Sequence, residues 1–160
     1  MSLRYLEDYA VGLVVTSGEE LVTKEAIVAF AKAWDPQPFH VDEDLAARSP
    51  YGGLIACTAH IFAITCRLGA KMENKDAGLA GLDFDEMRVH QPLRAGDTVH
   101  YQAECTAVRP SKTKPDRGIV HNHTRLFNQH EELVFSVRCT MMIASRRRQA
   151  SEAAEESPGR

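Results

Sequence analysis

The segments DPQPFHVD (residues 35–42) and GGLIACT (residues 52–58) decide the predicted fold and function of this 160-residue chain. The first contains two prolines around a glutamine, a pattern that favours an extended, rigid backbone and disfavours a helix. We therefore expect it to hold Asp35 and His40 at fixed positions near its two ends. A carboxylate and an imidazole fixed in this way form a candidate acid–base pair.

The composition restricts the classes of protein that the chain can belong to. With 44% hydrophobic residues, we expect a single domain over residues 1–145, followed by a disordered polar tail over residues 146–160. The formal net charge of −3 provides no basic field and argues against nucleic-acid binding. No apolar run reaches the roughly 18–20 residues of a membrane span, so we expect a soluble, cytoplasmic protein that contacts no membrane.

The cysteines and histidines give little indication of a metal or a cofactor. The four cysteines form no C-x-x-C pair and have apolar neighbours, so we expect buried, reduced thiols at Cys57, Cys66, Cys105 and Cys139. His121 and His123 share a predicted strand face, but no carboxylate or cysteine accompanies them at a ligand spacing. There is no nucleotide-binding glycine motif or H-E-x-x-H motif. The sequence predicts neither a metal nor a cofactor.

Two longer helices and one short helix are predicted in the first half of the chain. Thr23 is a candidate cap for the first, whose apolar residues are spaced as one helical face: Ile27, Phe30, Ala31 and Trp34. Asp42 is interpreted as the cap of a short helix. From Thr58 to about Met72 the residues are apolar on nearly every side, a pattern that predicts a central helix wrapped by other elements. His60 is expected to be a core residue of that helix.

Strand patterns dominate the rest of the chain. We predict strands at about residues 13–22, 82–89, 99–107, 118–127 and 133–143, with a bulge near residues 85–86 and a tight connection at residues 128–131. The predicted class is α+β, with long antiparallel strands curling around the buried helix. A helix wrapped in this way leaves strand edges unpaired, and we therefore expect a homodimer.

The two opening segments resemble the MaoC-like hydratases and dehydratases, which have the hot-dog fold and include the (R)-specific enoyl-CoA hydratases. The motif of that family, Asp-x-Asn-Pro-x-His-x-Asp, is matched at residues 35–42 with Gln37 in place of asparagine. The turn at residues 52–56 and the stretch from residue 84 to residue 97 add to the resemblance, which spans nearly the whole domain. It implies a hot-dog fold, in which a long antiparallel sheet wraps around a central helix.

The resemblance also implies a reaction and its residues. Asp35 and His40 match the catalytic pair that adds water reversibly to the 2,3 double bond of an enoyl thioester, carried by CoA or an acyl carrier protein. In the family, the backbone N–H of a glycine that opens the helix binds the thioester oxygen. Thr58 stands at this position and keeps the N–H, but it adds a β-branched side chain and raises the question of whether the backbone angle suits threonine.

Three further residues within the two opening segments complete the predicted substrate-binding set. Gln37 is a candidate for contacting the substrate or bracing the motif, and Gly53 and Cys57 adjoin the turn before the helix. The residues alone also fit plainer roles. Cys57 fits an inert apolar thiol, and Asp35 and His40 fit a helix-terminal acid and a packed histidine.

Two alternatives to a hydratase remain open at this point. Hot-dog proteins also hydrolyse thioesters, so an acyl-CoA thioesterase is one alternative, although the motif at residues 35–42 favours hydratases. A non-catalytic module that binds acyl thioesters is the other, and Thr58 is the main argument for it. Four basic residues are candidates for binding CoA phosphates or for a simple solvated face: Arg88, Arg94, Lys112 and Lys114.

Overall fold

The structure, a computed structural model, describes residues 3–147 of the chain. The helices among these residues are α1 (Lys24–Trp34), α2 (Pro38–Val41), α3 (Glu43–Arg48) and α4 (Thr58–Ala70), with a 3-10 turn at Leu6–Asp8. The strands are β1 (Leu3–Arg4), β2 (Val14–Thr16), β3 (Glu20–Leu21), β4 (Lys75–Asp76), β5 (Gly78–Val89), β6 (Thr98–Pro110), β7 (Arg117–Phe127) and β8 (Leu133–Ala144).

One antiparallel sheet supports the molecule, with its strands in the order β2-β6-β7-β8-β5 and β3 also paired with β6. The main core lies between α4 and this sheet, where helix residues such as Ile61 and Leu68 pack with sheet residues such as Leu126 and Phe135. A separate parallel pair joins β1 to β4. This is the predicted α+β hot-dog fold, and the prediction is confirmed.

The predicted irregularities of the sheet are also present. In β5 the register with β8 shifts between Asp85 and Arg88, and Glu86 has a positive φ of 47°, as a bulge requires. The tight connection between β7 and β8 is stabilised by Asn128, whose side-chain oxygen accepts hydrogen bonds from the backbone N–H groups of His130 and Glu132. Both predictions are confirmed.

Three predictions about the first half of the chain are wrong. Trp34 was expected on the buried face of α1, but it is 76% exposed. Ile27 and Ala31 are the buried residues of this helix, and Trp34 is its last residue. The strand expected at residues 13–22 is divided into β2 and β3, since Ser17 bonds to the backbone of Tyr101 and interrupts the ladder. The segment at residues 35–42 is not extended throughout.

The correction at residues 35–42 has a simple physical cause. Pro38 is the first residue of α2 and His40 lies within this helical turn. Proline is well tolerated at the first position of a helix, because its fixed φ suits the helix and the missing N–H would have had no partner there. The predicted cap at the other end is confirmed, since the Asp42 side chain accepts a hydrogen bond from the N–H of Leu45 at the start of α3.

The central helix α4 is covered on fewer sides than its composition predicted. Ile61, Ile64 and Leu68 are buried, but Cys66 and Arg67 on another side are exposed, because the sheet covers one side of the helix only. The prediction of four buried thiols is therefore wrong for Cys66, and Cys139 is only half-buried, whereas Cys57 and Cys105 are buried. His60 is a core residue as predicted: it stacks on Phe30 of α1 with ring centroids 4.5 Å apart, and burial lowers the pKa of its imidazole.

The predicted tail at residues 146–160 lies mostly outside the described residues, which end at Arg147. Arg146 itself is held to the domain, because its guanidinium pairs with Asp8 and its backbone N–H bonds to Glu7. Within residues 3–147, no helix combines the length and the apolar character that crossing a membrane demands.

Replacing Leu126 with alanine should lower the free energy of unfolding by about 2–5 kcal/mol. Leu126 is fully buried in the core (0% exposed), so truncation removes apolar contacts and leaves a cavity. Urea unfolding followed by circular dichroism measures the change. Leu21→Ala is the matched control, because Leu21 is 58% exposed and its loss should change stability by about 0.5 kcal/mol or less. Equal costs for the two variants would contradict this core.

Candidate active site

A cavity of about 340 Å³ lies where the start of α4 meets the segment after α1 and the end of β5. Three of the sequence-predicted site residues, Asp35, His40 and Thr58, line it together. The cavity is also lined by Phe39, Tyr51, Ile55, Ala56, Ile61, Val89, His90, Gln91 and Pro92. The segments at residues 35–42 and 52–58 therefore contribute to the lining of one cavity.

His40 is held in a defined orientation by the backbone of the second segment. The residue is buried, and its Nδ1 lies 2.7 Å from the carbonyl oxygen of Ile55. Because a carbonyl oxygen only accepts, Nδ1 donates in this hydrogen bond. In the neutral imidazole the other nitrogen, Nε2, then carries the lone pair. It faces Asp35, with 3.7 Å between Nε2 and Oδ2 of the carboxylate.

Asp35 is positioned by its backbone and leaves its carboxylate accessible. It is the C-cap of α1: its N–H donates to the carbonyl of Ala31, and its own carbonyl accepts from the N–H of Gln37. The side chain is 40% exposed. The distance of 3.7 Å to His40 is too long for a direct hydrogen bond, but both atoms are placed to accept hydrogen bonds from one water molecule between or beside them.

Thr58 is the first residue of α4, after Cys57 in an extended conformation with φ −71° and ψ 157°. Across the part of the chain that the structure describes, the Thr58 N–H makes no hydrogen bond, as expected in the first turn of a helix. The positive end of the helix dipole adds to the attraction of this N–H for negative charge. A residue that lines the cavity therefore has a free backbone donor suited to negative charge.

The backbone angle at Thr58 does not disfavour threonine. Among the non-glycine residues that the structure describes, only Glu86 and Glu131 have positive φ. The position therefore does not need glycine for its conformation. The Thr58 side chain is exposed, and the question that remains for this residue is one of space beside the ligand.

The other predicted site residues do not line the cavity. Gln37 is an exposed residue at the start of α2 and makes no side-chain capping bond. Cys57 is a buried residue (2% exposed) at the N-cap of α4. Gly53 faces Arg94, whose Nη1 lies 3.5 Å from the position that a Cβ would take.

Two aromatic residues of the cavity were not singled out from the sequence. The Phe39 ring contacts His40 edge-on, with centroids 4.5 Å apart, and also packs 5.2 Å from Tyr51. Tyr51 is fixed in turn, because its carbonyl accepts a hydrogen bond from the Arg94 guanidinium at 2.7 Å. Phe39 lies inside the motif and was open to prediction from its position. Tyr51 lies in a loop whose sequence carries no comparable signal.

The histidines once considered for a metal are used differently. His121 pairs with the hydroxyl of Thr140, with 3.0 Å between Nδ1 and Oγ1. In the described range of residues 3–147, no three or more histidine, cysteine, aspartate or glutamate side chains gather closely enough to hold a metal ion.

A protein-family model and solved structures match most of the chain. The family model, described as "FAS1-like, dehydratase domain region", matches residues 9–137. The crystal structure of a MaoC-like dehydratase from Rhodospirillum rubrum is 38% identical and has a TM-score of 0.83; the match covers 89% of this chain and 97% of that one.

Two curated proteins are more distant relatives. A 3-hydroxybutyryl-CoA dehydratase from Methylorubrum extorquens is 29% identical over 112 residues, which are 69% of this chain and 69% of that protein. YdeM of Bacillus subtilis, an uncharacterized protein, is 27% identical over 139 residues, which are 86% of this chain and 97% of that protein.

The neutral side chain of His40 should carry its proton on Nδ1, because the carbonyl of Ile55 accepts a hydrogen bond from that nitrogen. Long-range ¹H–¹⁵N correlation spectra of histidine-labelled protein, at a pH where His40 is neutral, distinguish the two tautomers. His40→Gln, which lacks the ring, identifies the signal. A neutral His40 protonated on Nε2 would contradict the orientation described above.

Proposed function

The chain belongs to the MaoC-like dehydratase family, whose dehydratase-region model spans residues 9–137, and we propose that it adds water reversibly to the 2,3 double bond of an enoyl thioester. The observation that carries this proposal is the convergence of three groups on one cavity: the Asp35 carboxylate, the His40 imidazole and the free N–H of Thr58. Hydration of a conjugated thioester requires a base for water, a proton for C2 and a donor for the enolate oxygen.

The proposed roles of Asp35 and His40 follow from the hydrogen-bond acceptor atoms that the two side chains present. The bond from Nδ1 of His40 to Ile55 leaves Nε2 as an acceptor, and the Asp35 carboxylate nearby is a second acceptor. A water that donates one hydrogen to each directs an oxygen lone pair toward C3 of the enoyl group. Asp35 takes one proton of the water as the oxygen bonds to C3, and the second proton stays on the new hydroxyl group beside His40. The proton held by Asp35 then returns to C2, and His40 assists by orienting the oxygen throughout.

The proposed role of Thr58 is to bind the thioester oxygen through its backbone N–H. Negative charge grows on this oxygen as the enolate forms, and a pre-positioned donor at a helix N-terminus stabilises that charge. The contribution of one such donor is commonly on the order of 10²- to 10³-fold in rate. The side chain at position 58 has no part in this contact, so a threonine can supply the same backbone donor as a glycine.

The substrate proposed for first tests is a four-carbon acyl-CoA. A relative 29% identical to this chain is named a 3-hydroxybutyryl-CoA dehydratase, and this supports crotonyl-CoA and 3-hydroxybutyryl-CoA as the substrate pair. A thioester on an acyl carrier protein has the same reactive group and is the alternative carrier.

The proposed assembly is a homodimer formed along β5. This strand is long and is the last in the sheet order, and within residues 3–147 its backbone pairs only with β8. It also exposes four large apolar side chains, Leu82, Phe84, Met87 and Val89. An unpaired edge with exposed apolar residues is suited to pairing with a second copy of the chain.

Crotonyl-CoA tests the reaction directly. A hydratase removes the absorbance of the conjugated enoyl group without releasing thiol, whereas a thioesterase releases free CoA. Hydration without thiol release is the expected result. Thiol release would replace the proposal with a thioesterase, and binding without either signal would replace it with a non-catalytic module.

Asp35→Asn and His40→Gln should each lower the rate of crotonyl-CoA hydration by about 10²- to 10⁴-fold, because each removes one partner of the acid–base pair. Asp44→Asn is the matched control, since Asp44 is an exposed acid on α3 that does not line the cavity; its rate should equal that of the unchanged protein. Circular dichroism checks the fold of each variant. Near-normal rates in a folded Asp35 or His40 variant would refute the assignment.

Thr58→Pro should lower the hydration rate by about 10²- to 10³-fold, because it removes the N–H that is proposed to bind the thioester oxygen. Proline is suited to this first helical position, and the extended Cys57 before it has the conformation that a following proline requires. Thr58→Ala keeps the N–H and is the control, with activity within about threefold of the unchanged protein. Equal activity of the proline and alanine variants would exclude this donor.

A further inference from the structure

A second cavity, of about 410 Å³, lies between α4 and the sheet and contains neither Asp35 nor His40. It shares no lining residue with the catalytic cavity. Its lining is mainly apolar, and representative residues are Phe62, Gly69, Phe84, Ala103, Val137 and Met141. Its volume is in the range of small-molecule pockets, roughly 300–1,000 Å³.

The two cavities follow one another along the same groove. On α4, Thr58 and Ile61 line the catalytic cavity, while Phe62, Thr65 and Gly69 line the second. These positions are three or four residues apart and form one stripe along the helix.

The strand β5 shows the same division. Val89 at its end lines the catalytic cavity, and Phe84 and Gly78, nearer its beginning, line the second. The catalytic end of the groove therefore lies at the start of α4 and the end of β5. The second cavity occupies the continuation of that groove.

Two aromatic residues of the second cavity lie nearest in sequence to the catalytic cavity: Phe62 directly follows Ile61 on α4, and on β5 Phe84 is the lining residue closest to Val89. Phe62 of α4 and Phe84 of β5 are in edge-to-face contact, with ring centroids 5.1 Å apart and planes at 77°. The Phe84 ring is seated over Gly81, where an added Cβ would lie 3.0 Å from the tip of the ring. Phe62 also packs near Phe135 in the core, with centroids 6.4 Å apart. Contacts on both sides thus hold the pair across the groove.

We propose that the Phe62–Phe84 pair determines acyl-chain length by closing the catalytic cavity against the apolar cavity behind it. The inference rests on the proposed function only in taking an acyl thioester as the ligand. With the pair closed, a short acyl group fits beside Thr58, and a longer chain meets the rings. When either phenylalanine is replaced by a smaller residue, the chain enters the apolar cavity, where each buried methylene group lowers the dissociation constant by about fourfold.

Binding of saturated acyl-CoAs tests this gate without any turnover, because they have no double bond to hydrate. Isothermal titration calorimetry compares butyryl-CoA with octanoyl-CoA on the full chain. The unchanged protein should bind butyryl-CoA more tightly than octanoyl-CoA by about tenfold or more. Phe84→Ala should strengthen octanoyl-CoA binding by about tenfold or more and change butyryl-CoA binding by less than about threefold.

Two further variants keep the test decisive. Phe62→Leu replaces the other ring with a smaller apolar side chain at little loss of core volume. It should also strengthen the binding of octanoyl-CoA. Leu82→Ala is the matched control, because Leu82 is an exposed apolar residue of β5 that lines neither cavity; its two affinities should match those of the unchanged protein. Size-exclusion chromatography checks that the variants keep the same assembly.

The results separate the gate from the reaction. Equal or tighter binding of octanoyl-CoA by the unchanged protein would overturn the gate, as would folded Phe84→Ala and Phe62→Leu variants with unaltered length preference. A shifted preference without crotonyl-CoA hydration would retain the gate and reject the hydratase. Crotonyl-CoA hydration with no shift in length preference would retain the hydratase and reject the gate. Absence of binding of both acyl-CoAs would reject the gate, and absence of crotonyl-CoA hydration as well would reject the hydratase.

Discussion

The hydrogen bond from the His40 imidazole to the carbonyl of Ile55, 2.7 Å long, joins the two segments on which the rest of the site depends. A backbone bond from the N–H of Ile55 to the carbonyl of Phe39 runs beside it. Together they fasten the turn at residues 38–41 to the strand-like entry of α4. Because the entry is itself bonded to the β5–β6 connection, through Ala56 and Leu93, the position of α4 over the sheet and the direction of His40 are set by the same contacts.

Local chemistry in the sequence was sufficient to predict the main parts of this arrangement. The caps at Thr23 and Asp42 arise from interactions between residues close in the chain, and the central helix and the strands are marked by local apolar patterns; the structure contains each of them. The Asp35 and His40 pair was predicted because their spacing matches a motif. Asp35 and His40 lie close together because only one short turn separates them, so their spacing in the sequence was sufficient to predict their proximity.

The failures arise where burial depends on distant elements. Trp34 has the right spacing for the buried face of α1, but it is the last residue of that helix and is mostly exposed. The apolar composition of α4 predicted cover on nearly every side, and the single sheet covers one side. The aromatic contact between Phe62 and Phe84 was not predictable either, because each residue alone looks like ordinary core. Tertiary packing, and not local preference, decides these positions.

A helix that begins at the proposed donor, the N–H of Thr58, and continues along the length of the groove also sets distances along that groove. Each residue of an α-helix advances about 1.5 Å along its axis, so the backbone of Phe62 lies about 6 Å beyond that of Thr58 and the backbone of Gly69 about 16 Å beyond it. Changes at successive turns of α4 therefore act at successive depths from the fixed N–H. The residues proposed to limit chain length and the N–H proposed to bind the thioester oxygen lie on different turns of one rigid helix. Either can therefore change during evolution without disturbing the other.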